Sequence, residues 1–318
     1  MLVFVAIHMA SAALNSTDSL LPKKKSIPVQ DLLQNSMADS VSCTIPFSRA
    51  GNLIIIRAKA DTTEGNFILD TGAPGLVLNM TYFRDYPATT ITDEEQSGIT
   101  GIVTTVTRTE VKEFSFGCVK SSVIAADLIN LGHLENAKGI RILGLIGLSF
   151  LKQFEMIIDY ENNLLYFHRI AKKEAATYKS PMLKDRSTYT IVPIEIWNHK
   201  IVTRTIVAGK KLRLIIDSGA ESNLLDSRLP NKIFENVEIL RRIQLTGAGQ
   251  KKVEALYGNL NNLTIGDQNT GSMPVIITNL EKTCLIDNSC IDGILGFDFL
   301  SLHKIGFNFV NNKMYIWK

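Results

Sequence analysis

The chain has 318 residues, of which 45% are apolar, so it is long enough to build two domains of ordinary size with substantial cores. Its net charge is only +3 and the basic residues form no long stripe, which excludes the electrostatic footprint of a nucleic-acid-binding protein. The five histidines are scattered and no Cys or His pair falls at metal-ligand spacing, so we expect no bound metal.

The N-terminal segment MLVFVAIHMASAALNS is a short apolar run that ends in small residues. Its Ala10-Ser11-Ala12 fits the pattern of a signal-peptidase site, so we interpret residues 1–13 as a signal peptide of an exported protein, periplasmic, extracellular or secretory. No Lys or Arg precedes the apolar run, which departs from the usual signal peptide. No other segment reaches about 18 uninterrupted apolar residues, so we expect no membrane span in the mature chain.

The segment from residue 14 to residue 42 offers little apolar surface. It is rich in Ser, Asn and Asp and carries the basic run Lys23 to Lys25. A segment of this composition cannot bury enough apolar area to fold by itself. We therefore interpret residues 14–42 as a pro-segment or a tether.

Runs rich in β-branched residues, bounded by Gly, Asn, Asp and Pro, fill the rest of the chain and predict a mostly β protein. ENN at 161–163 and VNN at 310–312 predict tight hairpin turns, because Asn tolerates positive φ. The predicted helices are short, roughly two turns each, in GLSFLKQF at 147–154 and GFDFLSLH at 296–303. The clearest strand runs are NLIIIRAKA at 52–60, GIVTTVTRTEV at 101–111, YTIVPIEIW at 189–197 and MPVIITNL at 273–280.

The two halves of the chain repeat each other at a nearly constant offset. GLIGLSFL at 144–151 corresponds to GILGFDFL at 293–300, and the offset of 149 continues from DYENNLLYF at 159–167 to NFVNNKMYI at 308–316. Upstream, FILDTGAPGLVLN at 67–79 corresponds to LRLIIDSGAESNLLD at 212–226. There Asp70 and Asp217 differ by 147, so only two residues were gained or lost between these segments.

The repeat predicts two lobes of similar construction joined by a connector. The stretch HRIAKKEAATYKSPMLKDRS at 168–187 is charged, low in β-branched residues and interrupted by Pro181, which is typical of a linker. We therefore divide the folded part into an N-terminal lobe at 43–167, a linker at 168–188 and a C-terminal lobe at 189–318.

Each lobe carries one D-[ST]-G-A turn directly after an apolar strand. Such a string arises by chance in roughly one chain in a hundred of this length, so one copy is a weak signal. A single Asp-Ser/Thr-Gly sequence also occurs as a capped turn, in which the carboxylate accepts backbone N–H bonds and does nothing else. Two copies, each about 75 residues before an apolar-Gly segment, favour a joint function for Asp70 and Asp217.

Over residues 45–318 the chain resembles the pepsin and retropepsin clan of aspartic peptidases, in which each lobe contributes one D-[ST]-G turn and one apolar-apolar-Gly segment. The resemblance implies a two-lobed pepsin-like acid protease fold, with a retropepsin-like closed β-barrel in each lobe and a pseudo-two-fold relation between them. It implies a monomer whose lobes pair within one chain. It also implies ψ-shaped crossings that hold the aspartates, formed by Leu145, Ile146 and Gly147 and by Ile294, Leu295 and Gly296.

By this resemblance, Asp70 and Asp217 are the catalytic residues of an aspartic endopeptidase acting on a peptide or protein substrate. Two carboxylates about 3 Å apart cannot both ionise readily, so they share a proton, as aspartic protease dyads are known to do. The ionised carboxylate takes a proton from a water that attacks the scissile carbonyl. The protonated one stabilises the developing oxyanion, and no covalent intermediate or cofactor is needed.

The resemblance assigns supporting roles to residues beside the aspartates. Thr71 and Ser218 carry hydroxyls that brace each turn against the other lobe, and Gly72 with Gly219 keeps Cβ atoms away from the substrate backbone. Turns in SGITG at 97–101 and LTGAGQ at 245–250 are candidate flaps over the substrate, with an ordinary surface hairpin as the alternative for each. The candidate flap glycines are Gly98, Gly101, Gly247 and Gly249.

The chain departs from secreted pepsins directly after each D-[ST]-G. Pepsins usually carry a Ser or Thr there, which donates a hydrogen bond to the ionised carboxylate, but this chain has Ala73 and Ala220. Loss of a donor to the charged form makes the pair less acidic, so we predict activity at weakly acidic to neutral pH. The next residue, Glu221, would raise a pKa of the pair if it faced inward, but we expect it to point to solvent. The candidate flap SGITGIVTTV also lacks the tyrosine that pepsin-like enzymes place against the substrate.

The four cysteines fit an oxidising compartment, with four buried thiols as the alternative. Cys284 and Cys290 enclose only LIDNS and form a possible disulfide. Cys43 and Cys118 are a second possible pair, within the first half of the chain.

Two other functions stay open. The first is a protein that keeps the fold without hydrolysis and binds a peptide or a partner protein in the same groove. The second is a protease restricted to self-processing or to one dedicated partner. Intact aspartates in both turns favour the endopeptidase.

Overall fold

The protein is described by a computed structural model that covers residues 5–6, 42–88, 90–92, 96–98, 101–103, 106–247, 252–281 and 290–318. Strands dominate these ranges and helices are few and short, which confirms the mostly β fold class. Within them, no helix is both long enough and apolar enough to cross a membrane. The helices are α1 Gly132–Lys138, α2 Asn231–Phe234 and α3 Phe297–Leu300, with 3-10 turns at Leu148–Phe150 and Arg186–Thr188.

The strands divide between the two halves of the chain. Those of the first half are β1 Val5–Ala6, β2 Ser42–Pro46, β3 Ser48–Ala50, β4 Leu53–Ala60, β5 Thr63–Leu69, β6 Leu76–Asn79, β7 Thr90–Thr92, β8 Gln96–Gly98, β9 Gly101–Val103, β10 Val106–Phe116, β11 Val119–Ile129, β12 Gly144–Ile146, β13 Phe154–Asp159 and β14 Leu164–Arg169. Those of the second half are β15 Tyr189–Trp197, β16 Lys200–Val207, β17 Lys210–Ile216, β18 Leu224–Asp226, β19 Val237–Gly247, β20 Lys252–Asn261, β21 Thr264–Ile265, β22 Gln268–Asn269, β23 Ser272–Thr278, β24 Gly293–Leu295, β25 Ile305–Asn308 and β26 Lys313–Trp317.

The two halves fold into lobes with the same strand order. The sheet of the N-terminal lobe runs β3-β4-β5-β12-β6-β11-β10-β7, and an additional pairing of β4 with β10 closes it into a barrel. In the C-terminal lobe the order β16-β17-β24-β18-β23-β20 repeats β4-β5-β12-β6-β11-β10 strand for strand. The repeat in the sequence is therefore a repeat of topology, as expected for the two-lobed fold.

A shared sheet joins the lobes in the order β2-β14-β13-β25-β26-β15. At its centre β13 pairs antiparallel with β25, and Ile157 lies opposite Gly306. These two residues differ by 149, the offset of the repeat, so the pseudo-two-fold axis passes between the two strands. Through β15 the sheet continues into the C-terminal lobe, because residues 189–193 pair with β26 and residues 194–197 pair with β16.

Local predictions have mixed outcomes. Asn163 and Asn312 lie in the Asn-Asn turns with φ of 53° and 52°, which confirms both hairpins. Helical turns follow Gly147 and Gly296, but each is about one turn rather than two, because β13 and β25 begin soon afterwards. Within the run at 101–111 the structure describes β9 as far as Val103 and β10 from Val106 onward, and residues 104 and 105 lie outside the described residues.

Helix α1 was not predicted from the sequence. Its residues GHLENAK include Gly, His and Asn, which are poor helix formers, and only Leu134 of the helix is buried. The helix instead ends on Gly139, which adopts a left-handed conformation with φ of 66° and donates its N–H to the Glu135 carbonyl. Packing of Leu134 under the N-terminal lobe therefore outweighs a weak local propensity.

The connector between the lobes lies against the shared sheet. Strand β14 extends to Arg169, two residues into the interval 168–188. The Tyr178 hydroxyl donates to the buried carboxylate of Glu155 at 3.1 Å, and its ring stacks on His168 with the centroids 4.6 Å apart. The connector is thus attached to the body by polar and aromatic contacts.

Two features concern the start of the folded body. A disulfide joins Cys43 in β2 to Cys118 in the β10–β11 turn, with the Cα atoms 5.8 Å apart, which confirms one of the two possible pairs. Cys290 is also disulfide-bonded, while Cys284 lies outside the described residues. Strand β1 pairs antiparallel with residues 246–247 of β19, and the rest of the segment 1–41 lies outside the described residues.

Candidate active site

Each aspartate follows a strand that is held by a ψ-shaped crossing. In the N-terminal lobe β12 lies between β5, parallel to it, and β6, antiparallel to it, and the Asp70 N–H donates to the Ile146 carbonyl at 3.0 Å. In the C-terminal lobe β24 lies in the same way between β17 and β18, and the Asp217 N–H donates to the Leu295 carbonyl at 3.0 Å. The residues expected to form these crossings, Leu145, Ile146, Ile294 and Leu295, are all buried strand residues.

The glycines that end the two crossings leave no room for a side chain. A Cβ atom on Gly147 would collide with the carbonyl oxygens of Ala73 and Gly75. A Cβ atom on Gly296 would collide with the carbonyl oxygens of Ala220 and Ser222. Because these obstacles are backbone atoms of the D-[ST]-G-A turns and of the residues just after them, the crossing and the turn are packed in direct contact.

The two aspartates are fully buried, with 0% of each exposed. The Oδ1 atom of Asp70 accepts N–H bonds from Gly72 at 2.8 Å and Ala73 at 3.0 Å, and Oδ1 of Asp217 accepts one from Gly219 at 2.8 Å. Among the described residues, the Oδ2 atom of each carboxyl has no hydrogen-bond partner. A proton shared between the two carboxyls would satisfy both of these oxygens.

The carboxyls meet across the lobe boundary. A Cβ atom on Gly72 would collide with the carboxyl of Asp217, and a Cβ atom on Gly219 would collide with the carboxyl of Asp70. Gly72 therefore makes space for Asp217 of the second lobe, and Gly219 makes space for Asp70 of the first lobe. Both positions are glycine because any side chain there would occupy the space of an aspartate carboxyl.

Burial and charge set the acidity of this pair. Burial raises the pKa of both carboxyls, and the negative charge of Asp217 raises the pKa of Asp70 further. The positive charge of Lys200 opposes both shifts. The upward direction agrees with the missing hydroxyl donors at Ala73 and Ala220, and the pH dependence of activity stays a prediction.

The hydroxyls of Thr71 and Ser218 connect the two turns. Thr71 N–H donates to Ser218 Oγ at 3.1 Å, and Ser218 N–H donates to Thr71 Oγ1 at 3.0 Å. The Thr71 hydroxyl also donates to the Ile216 carbonyl at 3.2 Å, and the Ser218 hydroxyl donates to the Leu69 carbonyl at 2.8 Å. Four buried hydrogen bonds thus hold the turns in a two-fold arrangement.

Lys200 is a site residue that the sequence analysis missed. The residue is only 3% exposed, and its ammonium group donates to the carbonyl oxygen of Gly72 in the other lobe. Burial lowers the pKa of Lys200, while the charges of Asp217 and Asp70 oppose that shift. A signal was present in the repeat, because Lys200 stands 17 residues before Asp217 where the first lobe has Leu53 17 residues before Asp70.

Glu221 does not point to solvent, so that expectation is wrong. It is 8% exposed and forms an ion pair with Lys138 of α1 in the other lobe. Its carboxylate also accepts the Asn52 N–H at 3.2 Å, and its carbonyl accepts the Asn52 side-chain amide at 3.0 Å. The residue therefore belongs to the contact between the lobes, where its negative charge is compensated.

The candidate flap glycines lie in two hairpins. Gly98 and Gly101 pair with each other across the β8–β9 hairpin, whose tip residues 99 and 100 lie outside the described residues. Gly247 is the last residue of β19 in the β19–β20 hairpin, and Gly249 lies outside the described residues. The structure thus gives both turns a hairpin setting, and closure over a substrate stays a prediction.

Comparisons with known proteins concern both the sequence and the fold. A family model described as aspartyl protease matches residues 203–299, a stretch that contains Asp217 and the Gly293–Gly296 segment. Among solved structures, basic 7S globulin from soybean is similar over 87% of this chain and 94% of that chain, with 9% identity and a TM-score of 0.46. A retropepsin-like aspartic protease from Rickettsia conorii is similar over 41% of this chain and 92% of that chain, with 18% identity and a TM-score of 0.29. A search of curated proteins gave no match. The family match supports an aspartic protease-type relationship for the C-terminal lobe.

Proposed function

We propose that the protein is an aspartic endopeptidase in which Asp70 and Asp217 activate a water molecule to hydrolyse a peptide bond. The observation that carries the proposal is the pair of buried carboxyls, each held by its own turn and each with an Oδ2 atom that lacks a partner among the described residues. A capped turn explains the bonds to Oδ1 but neither the unpartnered Oδ2 atoms nor the interaction between the two carboxyls. The aspartyl protease family match over residues 203–299 supports the same function.

The mechanism follows from the charge state of the pair. With one proton shared, the ionised carboxyl accepts a proton from the attacking water, and the resulting hydroxide adds to the scissile carbonyl carbon. The protonated carboxyl donates to the carbonyl oxygen and stabilises the negative charge that develops there. Collapse of the tetrahedral intermediate returns a proton from the pair to the leaving amine, so the pair ends with the one proton it began with.

Access to the pair requires movement. Both aspartates are 0% exposed, so a covering element has to shift before substrate and water reach the Oδ2 atoms. A hairpin with a glycine-bearing tip is suited to this motion, and the β8–β9 and β19–β20 hairpins are the proposed flaps. An extended substrate would lie across both lobes, with backbone hydrogen bonds of the β type.

Cleavage of a denatured protein mixture tests the function. Wild type, Asp70→Asn and Asp217→Asn are compared from pH 3 to pH 8, with and without pepstatin, using the full chain and a preparation that begins at residue 42. Wild type should cleave, pepstatin should inhibit, and each variant should be slower by about 10²- to 10⁴-fold. Asp85→Asn, at an exposed aspartate of the same lobe, is the matched control and should cleave like wild type.

One observation favours a second function, the binding of a peptide or a partner protein without hydrolysis. It is the complete burial of both aspartates, which removes them from solvent in this state. If wild type cleaves nothing in either preparation while pepstatin binds equally to wild type and to Asp70→Asn, the binding function replaces the endopeptidase. A single cut in the chain itself would instead identify a self-processing protease.

A further inference from the structure

We propose that Lys200 is a positioning residue of the carboxyl pair, whose ammonium group is a built-in counter-charge that keeps one of the two buried carboxyls ionised. The inference rests on the proposed function, because it concerns the charge state of the same two aspartates. It depends on strand register, on a contact across the lobe boundary and on the balance of buried charge.

Strand register brings Lys200 beside Asp217. Strands β16 and β17 pair antiparallel, with Ile201 opposite Ile216. Lys200 directly precedes Ile201 and Asp217 directly follows Ile216, so both lie at the same end of the hairpin. The registered pairs stop one residue short of Lys200 and Asp217, and the charges of these two residues act on each other, which agrees with their lying close together.

The backbone before Lys200 is a tight turn that fixes where its side chain begins. Asn198 and His199 have φ of 44° and 56° and form a two-residue loop between the paired residues Trp197 and Lys200. Two consecutive positive φ values are typical of a type I′ hairpin turn, whose twist matches that of the strands. From this turn the side chain crosses the boundary, and its ammonium group donates to the Gly72 carbonyl.

The charges of Lys200 and of the two carboxyls at the lobe boundary sum to zero when the carboxyls share one proton. A pair of carboxyls that shares one proton carries a charge of −1, and the ammonium group of Lys200 brings the buried group of three to zero. Burial of an uncompensated charge is costly, so this balance favours the state with one proton. In the first lobe the corresponding residue is the buried Leu53. Of these two equivalent positions only Lys200 carries a positive charge, which matches the single negative charge of the pair.

Acidic residues of both lobes act on Lys200. The charges of Asp217 and Asp70, in the turns that follow β17 and β5, both favour its protonated form. On its own hairpin the titratable neighbour is His199, whose pKa is lowered by burial and by the positive charges of Lys152 and Lys200. Protonation of His199 would add a second cation and does not replace the lysine.

Loss of the ammonium group changes the proton count of the pair. Lys200 lowers the pKa of both carboxyls, so its removal raises the pH at which the pair takes up a second proton. A doubly protonated pair has no base to activate water. Lys200 therefore extends the working range of the pair toward acid pH.

The first test compares kcat/KM against pH in wild type, Lys200→Met and Lys200→Arg. Methionine keeps the length of the side chain without its charge, and arginine keeps the charge. At the pH where wild type has half its maximal kcat/KM on the acid side, Lys200→Met should be about tenfold lower, and Lys200→Arg should follow the wild-type limb. Lys59→Met removes an exposed lysine of the first lobe and should leave the position of the acid limb unchanged.

The second test does not depend on activity. Thermal unfolding of the same proteins is measured from pH 4 to pH 8, with Lys200→Leu as a second neutral variant that copies the residue of the first lobe. The deficit in melting temperature of the neutral variants should grow with pH, because the ionised pair then lacks its counter-charge. If no protein cleaves, the proposed function fails. The pH dependence of the melting-temperature deficit still shows whether Lys200 acts as a counter-charge.

Two results would overturn the inference while leaving the proposed function intact. In the first, wild type is active, the acid limb of kcat/KM lies at the same pH in Lys200→Met as in wild type, and the difference in melting temperature between the two proteins does not change with pH. The other is failure of both neutral variants to fold even at pH 4, which would assign Lys200 to packing rather than to charge.

Discussion

Thr71 and Ser218 exchange hydrogen bonds across the lobe boundary in both directions. Each hydroxyl accepts the other residue's backbone N–H, and each donates to the carbonyl that lies two residues before the other, Ile216 or Leu69. Each aspartate is the residue between that carbonyl and that N–H. The distance between the two carboxyls is therefore set by the same bonds that hold the lobes together.

Thr71→Val should destabilise the protein and slow catalysis. Valine has the shape of threonine, but it removes the acceptor of the Ser218 N–H and a donor to the Ile216 carbonyl in a buried place. Each unpaired buried group costs about 1–3 kcal/mol. The free energy of unfolding should therefore fall by more than the contribution of a single hydrogen bond. Urea unfolding gives the stability change, and kcat should fall more than KM rises because the aspartates lose their alignment.

Thr205→Val is the matched control for that substitution. Thr205 is equally buried, at 1% exposed, but its hydroxyl has no hydrogen-bond partner among the described residues. Replacing it should leave stability unchanged or slightly higher, since no bond is broken and a buried polar atom is removed. Equal losses in the two variants would show that burial alone, and not the bonds across the boundary, matters at Thr71.

Asp70→Asn should be more stable than wild type at neutral pH. Burial and the Asp217 charge raise the folded-state pKa of Asp70, so its stabilising contribution is present below the unfolded pKa and is lost as pH rises through the folded pKa. An amide does not ionise, and its oxygen can keep the N–H bonds from Gly72 and Ala73.

Melting temperatures from pH 3 to pH 8 measure this effect. The curves for wild type and Asp70→Asn should separate as pH rises, by several degrees, since about 1 kcal/mol corresponds to roughly 2–4 °C at this size. The variant should be slower than wild type by about 10²- to 10⁴-fold throughout. A difference in melting temperature that stays constant with pH would mean that ionisation of Asp70 does not destabilise the folded protein.

Ala73→Ser should move activity toward acid pH. The Ala73 N–H already bonds Asp70 Oδ1, and a hydroxyl on the same residue would add a donor to the ionised carboxylate. A donor to the charged form lowers a carboxyl pKa, so the acid limb of kcat/KM should lie at lower pH than in wild type. Wild type itself should work best at weakly acidic to neutral pH, and an optimum at strongly acidic pH would contradict the argument.

The ion pair of Lys138 and Glu221 should contribute strongly to lobe packing. Both side chains are only 10% exposed, so removing one partner leaves a largely buried charge. Lys138→Met should cost about 3–5 kcal/mol, and the double variant Lys138→Met/Glu221→Gln should cost less than the single one. Denaturant unfolding of wild type, Lys138→Met, Glu221→Gln and the double variant gives the coupling energy between the two residues.

An exposed pair is the control for that cycle. Arg204 and Glu195 are 2.8 Å apart, with 71% and 52% of their side chains exposed. Arg204→Met should change stability by less than about 1 kcal/mol, because water screens the pair. If the boundary pair behaved like this surface pair, Glu221 would not help to join the lobes.

Much of the fold was predictable because its signals are local. The D-[ST]-G-A turns, the apolar-Gly segments and the Asn-Asn hairpins are short patterns whose backbone requirements are met by residues next to each other, and the repeat confirmed that they recur in order. Helix α1 escaped prediction because only Leu134 packs inward, and the local residues do not favour a helix. The length of the helical turns after Gly147 and Gly296 was overestimated, since strand pairing further on determines where they end.

The candidate site was predictable at its centre and not at its edges. Asp70 and Asp217 follow from a motif, but Lys138 meets Glu221 across 83 positions of sequence, and Lys200 meets Gly72 across 128. No pattern of neighbouring residues encodes such a pair. A lysine where the other lobe has Leu53 was the single local sign of the second contact.

Sequence pattern was enough to establish two mostly β lobes, their internal repeat and the residues that form each turn, because apolar periodicity and the special needs of Gly and Asn act within a few residues. The complete burial of both aspartates, the exchange of bonds between Thr71 and Ser218, and the ammonium group beside the pair emerged only from the folded arrangement. Burial and electrostatic interaction depend on distances in space, and these join groups that the chain keeps far apart.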